Sequence, residues 1–169
     1  MSEESPLERP NRVGIVVGSR SDIAAAEKAA AVLGDLGVES ETRVISAHRA
    51  PELLARWIAS LDERAIGVVI AIAGLAAHLP GVVASQTTRP VIGVPMAGGV
   101  SDGLDALLAI VQMPKGVPVA TVGVGNGENA GLLAAAILGV SDPSLRDRLA
   151  ARRAAQASEI AADAANEGL

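Results

Sequence analysis

The uncharged stretch Ala65-Ile-Gly-Val-Val-Ile-Ala-Ile-Ala-Gly-Leu-Ala-Ala-His-Leu-Pro-Gly-Val-Val-Ala-Ser85 decides the fold. Its length approaches the roughly 20 residues of a membrane-spanning helix. Gly67, Gly74, His78, Pro80 and Gly81 interrupt it, however, and Gly67 to Ala73 is rich in β-branched residues. A buried strand, a turn and a short helix after Pro80 account for the pattern better than a span does. A strand that is apolar at nearly every position is buried on both faces, which is the signature of a parallel sheet covered by helices.

The rest of the chain repeats this alternation. Val13 to Val17 is a short apolar run that ends at Gly18, and Ser21 and Asp22 can cap an Ala-rich helix from Ile23 to Leu36. Val38 to Ile45 reads as a second strand, and Pro51 can open a helix running to about Leu61. After the third strand come a fourth at Val91 to Val94, a helix at Leu104 to Val111, and a fifth strand at Val117 to Val122. A helix from Asn129 to Leu138 and a polar, Arg- and Ala-rich helix from Pro143 onward complete the pattern. Strand–helix alternation of this kind predicts an α/β fold: a three-layer αβα sandwich with a central parallel sheet. We expect residues 1–12 to be a loose tail, 13–142 the α/β domain, and 143–169 a helical tail that packs on neighbouring subunits.

Composition narrows the chemistry. The 169 residues are half hydrophobic, yet include one Trp and no Phe or Tyr, so the core is built from Ala, Val, Ile and Leu. The net charge of −5 and the near absence of aromatic platforms argue against nucleic-acid binding. No Cys is present, which removes disulfides, thiolate metal sites and Cys nucleophiles. Polar residues before the first strand lack the pattern of a signal peptide, and we expect a soluble, cytoplasmic protein. Of the side chains that titrate near neutrality without perturbation, the chain has two, His48 and His78.

Ligands of open parallel sheets bind beyond the carboxyl ends of the strands. Both histidines fall in such loops. The first loop, Gly18-Ser-Arg-Ser-Asp22, offers Ser19 and Ser21 hydroxyls at a helix start, which suits either an anion site or simple capping. The second, Ser46-Ala-His-Arg-Ala-Pro51, sets the fixed cation of Arg49 beside His48, a candidate general acid or base. Taken alone, Arg49 suits a surface ion pair and His48 a braced loop. Beside an anion loop, the functional reading is the better one. In the third loop, Gly74, Ala76 and Ala77 let a ligand approach closely, and His78 can polarise a substrate or brace the loop. No third ligand with helpful spacing joins the histidines, so no metal is expected. Met96 to Gly103 can close over a ligand, and the glycine-rich Gly123 to Asn129 reads as a turn into the next helix instead of a dinucleotide fingerprint.

Taken in order, these loops resemble a known family. Gly18 to Asp22, Ser46 to Pro51, Ala76-Ala-His-Leu-Pro-Gly81 and Ile110-Val-Gln-Met-Pro-Lys-Gly-Val-Pro-Val-Ala-Thr-Val122 are similar to the class I form of the aminoimidazole ribonucleotide carboxylase family of purine biosynthesis, the N5-carboxyaminoimidazole ribonucleotide mutases. Asn129 to Leu138 matches the family's late helix, and the resemblance covers about Arg12 to Gly139. It implies a flavodoxin-like sandwich, a homo-octamer, and reversible movement of a carboxylate from the exocyclic nitrogen to C4 of the imidazole, with no cofactor. It further implies that Ser19, Ser21, Asp22 and Arg49 hold the phosphoribosyl part and that His48 is the acid–base residue. Ser46, Ala47, Gly74, Ala76, Ala77, His78 and Leu79 would line the ring and carboxylate pocket. Two departures stand out: Gly74-Leu75 where the family commonly has Gly-Gly, and a compact Met96–Gly103 loop. They keep a direct, carbon-dioxide-dependent carboxylase open as an alternative, while Arg49 and the Ala-Ala-His-Leu-Pro run favour the mutase. A non-catalytic nucleotide-binding module is the alternative from another class.

Overall fold

The computed structural model describes residues 10–166. Five parallel strands form one sheet in the order β2-β1-β3-β4-β5: β1 Arg12–Val17, β2 Ser40–Val44, β3 Ile66–Ala73, β4 Val91–Pro95 and β5 Ala120–Thr121. This order is the flavodoxin-like one, with the switch point between β1 and β3. The helices are α1 Ile23–Asp35, α2 Pro51–Ala59, α3 Leu79–Ala84, α4 Leu104–Val111, α5 Gly127–Leu138 and α6 Pro143–Ala161.

Two apolar layers hold the sandwich together. On one face Ile15, Ile70, Ile72 and Ile92 pack with Leu33 of α1 and Ala130 and Ala134 of α5. On the other, Val16, Val69 and Ala71 pack with Leu54 and Trp57 of α2, Val83 of α3 and Ile110 of α4. The central strands bury both faces, as their unbroken apolar runs require. Close approach of α1 and α5 depends on small residues. A Cβ built on Gly127 would stand 2.0 Å from the Ala25 carbonyl oxygen, and one on Gly131 would stand 2.4 Å from Val32 Cγ1.

Three elements differ from the sequence reading. The fifth strand shrinks from Val117–Val122 to two residues, because Pro118 has no N–H to give the ladder and Gly116 turns the chain at φ +99°. The second strand is shorter than Val38–Ile45 and is a polar edge strand, not a buried apolar run. Ser19, not Ser21 or Asp22, supplies the cap after β1. Its Oγ accepts the Ser21 N–H at 3.3 Å over a 3₁₀ turn, while the Asp22 carboxylate makes no capping bond to α1.

The expected N-terminal tail lies largely outside the described residues, and Arg12 belongs to β1. The start of α6 contributes to its own chain's core: Leu145 is fully buried there, and Arg148 Nε donates to the Leu36 carbonyl at 2.8 Å. Asp142 caps this helix by accepting the Leu145 N–H at 3.1 Å. Beyond Arg153 the helix is exposed on every side. Among the described residues, no helix is long and apolar enough to cross a membrane.

The polar edge strand also carries a small charged network. Glu41 accepts from the Trp57 indole Nε1 at 2.9 Å and pairs with Arg64 at 3.1 Å and Arg43 at 3.2 Å. Burial pushes the carboxyl up, but the Trp57 hydrogen bond and the two arginines outweigh it, and the net shift is downward. A depressed folded pKa adds stability above the unfolded carboxylate range and loses it as pH falls through the folded value. Glu41→Gln should therefore cost about 1 kcal/mol at pH 7, a modest sum because both arginines are water-accessible. The gap to wild type should close as pH falls below about 4. Urea denaturation at the two pH values checks this, and a gap that persisted in acid would remove the charge from the explanation.

Candidate active site

Four strand ends converge on one cleft of about 500 Å³. Gly18, Ser19, Ser21 and Asp22 enter it after β1, Ser46 to Arg49 after β2, and Met96 and Ala97 after β4. The remaining wall follows β3 and comprises Ala73, Gly74, Leu75, Ala77, His78 and Leu79. The cleft thus lies where the sheet order reverses, as the topology requires.

The two histidines meet there. His48 Nε2 and His78 Nδ1 are 2.8 Å apart, with ring centroids at 4.9 Å and planes nearly perpendicular. Such a contact needs one nitrogen to donate and the other to accept, so at least one ring is neutral while it holds. The outward nitrogens, His48 Nδ1 and His78 Nε2, make no hydrogen bond to protein among the described residues. The pair can therefore take up a proton at one end and release one at the other.

Arg49 ties the second loop to the first. Its backbone N–H and Nε both donate to Ser46 Oγ, at 3.2 and 3.4 Å, and one Nη donates to the Gly18 carbonyl at 3.4 Å. No carboxylate pairs with it among the described residues, so its charge faces the cleft without a counterion. Ser21 Oγ donates to Asp22 Oδ1 at 3.0 Å in the same corner. The cation and the hydroxyls of the first two loops thus share one cleft with the histidines and the small residues that follow β3.

Of the sequence candidates, Ser19, Ser21, Asp22, Ser46, Ala47, His48, Arg49, Gly74, Ala77, His78 and Leu79 line the cleft. Ala76 does not. It sits at the tip of a tight turn between two left-handed residues, Leu75 at φ +56° and Ala77 at φ +42°, and is exposed. Leu75, Met96 and Ala97 also line the cleft, the last two from the loop that the sequence shows able to close over a ligand. Their signal was position, since each follows a strand directly or within two residues. Among the described residues, no group of three or more His, Asp or Glu side chains is placed to hold a metal ion.

Comparison with known proteins gives this geometry a context. A family model described as AIR carboxylase matches residues 12–159. An N5-carboxyaminoimidazole ribonucleotide mutase of Mycobacterium tuberculosis is 52% identical over 155 residues, which is 92% of this chain and 88% of that protein. One from Methanocaldococcus jannaschii is 56% identical over 135 residues, 80% of this chain and 83% of that protein. Among solved structures, Treponema denticola PurE superposes with a TM-score of 0.82 at 29% identity, covering 93% of this chain and 98% of that one. The matched span runs from the first residue of β1 into α6 and takes in every loop of the cleft, and on that footing the chain belongs to the AIR carboxylase family.

Proposed function

We propose that this protein is an N5-carboxyaminoimidazole ribonucleotide mutase, which moves a carboxylate from the exocyclic nitrogen of an aminoimidazole ribonucleotide to ring C4. The observation that carries the reading is the hydrogen-bonded His48–His78 pair set in one cleft with an unpaired arginine. Ser19, Ser21 and Arg49 would hold the phosphate, and Asp22 would accept a hydrogen bond from a sugar hydroxyl. Binding energy from that remote end positions the imidazole against the histidines.

The chemistry then needs one proton in and one proton out. As the N–CO₂ bond breaks, its electron pair returns to nitrogen, and His48 supplies the proton. Carbon dioxide stays in the cleft, C4 attacks it, and the C4 proton passes back to His48. The histidine ends as it began, so neither a net proton nor a cofactor is consumed. Gly74 and Ala77 let the ring lie close to the backbone, which keeps the two reacting partners together.

Conversion of the N-carboxylated substrate in buffer stripped of bicarbonate, against an enzyme-free control, tests this. Rapid formation of the C4 isomer is expected. Product formed solely from aminoimidazole ribonucleotide and bicarbonate would make the protein a direct carboxylase, and binding without turnover would make it a nucleotide-binding module. Arg49→Met should lower kcat/KM about 10- to 100-fold, mainly through KM, by removing a charge-assisted contact to phosphate. An unchanged KM would take Arg49 out of the phosphate end.

We also propose a homo-oligomer, with eight subunits as the family resemblance implies. Support comes from the exposed Leu104, Leu108 and Val111 along α4 and from the uncovered second half of α6. Light scattering showing a monomer would end that part of the proposal.

A further inference from the structure

Leu75 is costly to the folded chain on two counts. Its backbone is left-handed at φ +56°, a conformation that crowds the Cβ of a non-glycine residue against its own backbone. Its side chain is 63% exposed, so little burial offsets that strain. Strain concentrated at a cleft calls for a functional account when the outlier itself is what is observed. Here the outlier lines the cleft, inside the Gly74–Ala77 turn that leads to His78.

The side chain also reaches across to another loop. A Cβ built on Gly99 would lie 2.8 Å from Leu75 Cδ2 and 2.7 Å from Asp105 Oδ2. Gly99 is thus held between Leu75 and the carboxylate that accepts the Val100 N–H at 3.2 Å. Gly98, Gly99, Ser101, Asp102 and Gly103 of this loop all have positive φ. Leu75, which lines the cleft after β3, thus packs against Gly99 of the loop after β4.

We infer that Leu75 is a positioning residue that retains carbon dioxide between its release from nitrogen and its capture by C4. This inference rests on the mutase reading. Carbon dioxide is small, uncharged and without a hydrogen-bond donor, so ionic contacts hold it poorly and enclosure by apolar surface holds it well. If it escapes, the amine and free carbon dioxide remain, and carboxylation must draw on dissolved carbon dioxide. The fraction of product carbon that comes from solution therefore reads the quality of the seal.

The test is turnover of unlabelled N-carboxylated substrate in ¹³C-bicarbonate with added carbonic anhydrase, comparing wild type, Leu75→Ala and Leu75→Gly. An enzyme-free control corrects for spontaneous loss of the carboxylate. Wild type should incorporate little label, and both variants should incorporate several-fold more per product formed and accumulate free amine. Leu75→Gly relieves the left-handed strain and should melt no lower than wild type, which separates a leak from a folding defect. Label unchanged in both variants would overturn the inference. Label raised in Leu75→Gly alone would also overturn it, since the backbone and not the side chain would then be responsible. Wild-type enzyme that forms no product would refute the mutase reading itself, a result distinct from either.

Discussion

His48→Asn should stop turnover while leaving the cleft able to bind. Asparagine can occupy much of the same space and hydrogen-bond to His78, but it cannot carry a proton between nitrogen and C4. Loss of a positioned acid–base group typically costs about 10²–10⁴-fold, and the upper part of that range is expected where one residue serves both proton transfers. The phosphate end proposed for Ser19, Ser21 and Arg49 is untouched, so affinity for the C4-carboxylated product should stay within a few-fold. Steady-state kinetics read the first effect and titration calorimetry the second. Full activity in this variant would sink the mechanism, and loss of binding together with turnover would make His48 a structural brace.

The second large effect concerns stability. Gly127→Ala puts a methyl group 2.0 Å from the Ala25 carbonyl oxygen and 2.9 Å from its carbonyl carbon. Both are backbone atoms, so no rotamer change relieves the clash and the start of α5 must back away from α1. We expect a cost of about 3 kcal/mol, the upper end of the usual overpacking penalty, and a melting temperature lower by about 6–12 °C. Gly34→Ala is the matched control. It lies on the exposed side of α1 with nothing within 4 Å of the new Cβ, and should gain up to about 1 kcal/mol. Calorimetry of the two variants side by side checks the sign of each. Equal melting temperatures would mean that α1 and α5 do not pack as described.

How much of this was legible beforehand follows from range. β1, β3 and β4 announced themselves because a strand buried on both faces must be apolar along its whole length. β5 misled because Val117 to Val122 looks equally apolar, while a proline at 118 limits how far an edge strand can pair. The loops that form the cleft were legible from the rule that ligands sit beyond strand ends. What joins them was not. The His48–His78 bond links side chains thirty positions apart, and the contact of Arg49 with the Gly18 carbonyl spans a similar distance. Neither leaves a local pattern. Leu75 and not Ala76 lines the cleft because two left-handed residues in one short turn decide which side chain faces it, and left-handedness at Leu or Ala has no signature in composition.

Trp57 is the chain's sole indole, and it donates to Glu41 from a helix that begins two residues after Arg49. Intrinsic fluorescence excited at the indole band is therefore a single-site signal. It reports the seating of α2 on the edge of the sheet, with no second emitter to subtract. Because the same helix carries the loop that presents His48 and Arg49, the protein arrives with its own optical gauge of whether that loop is in place.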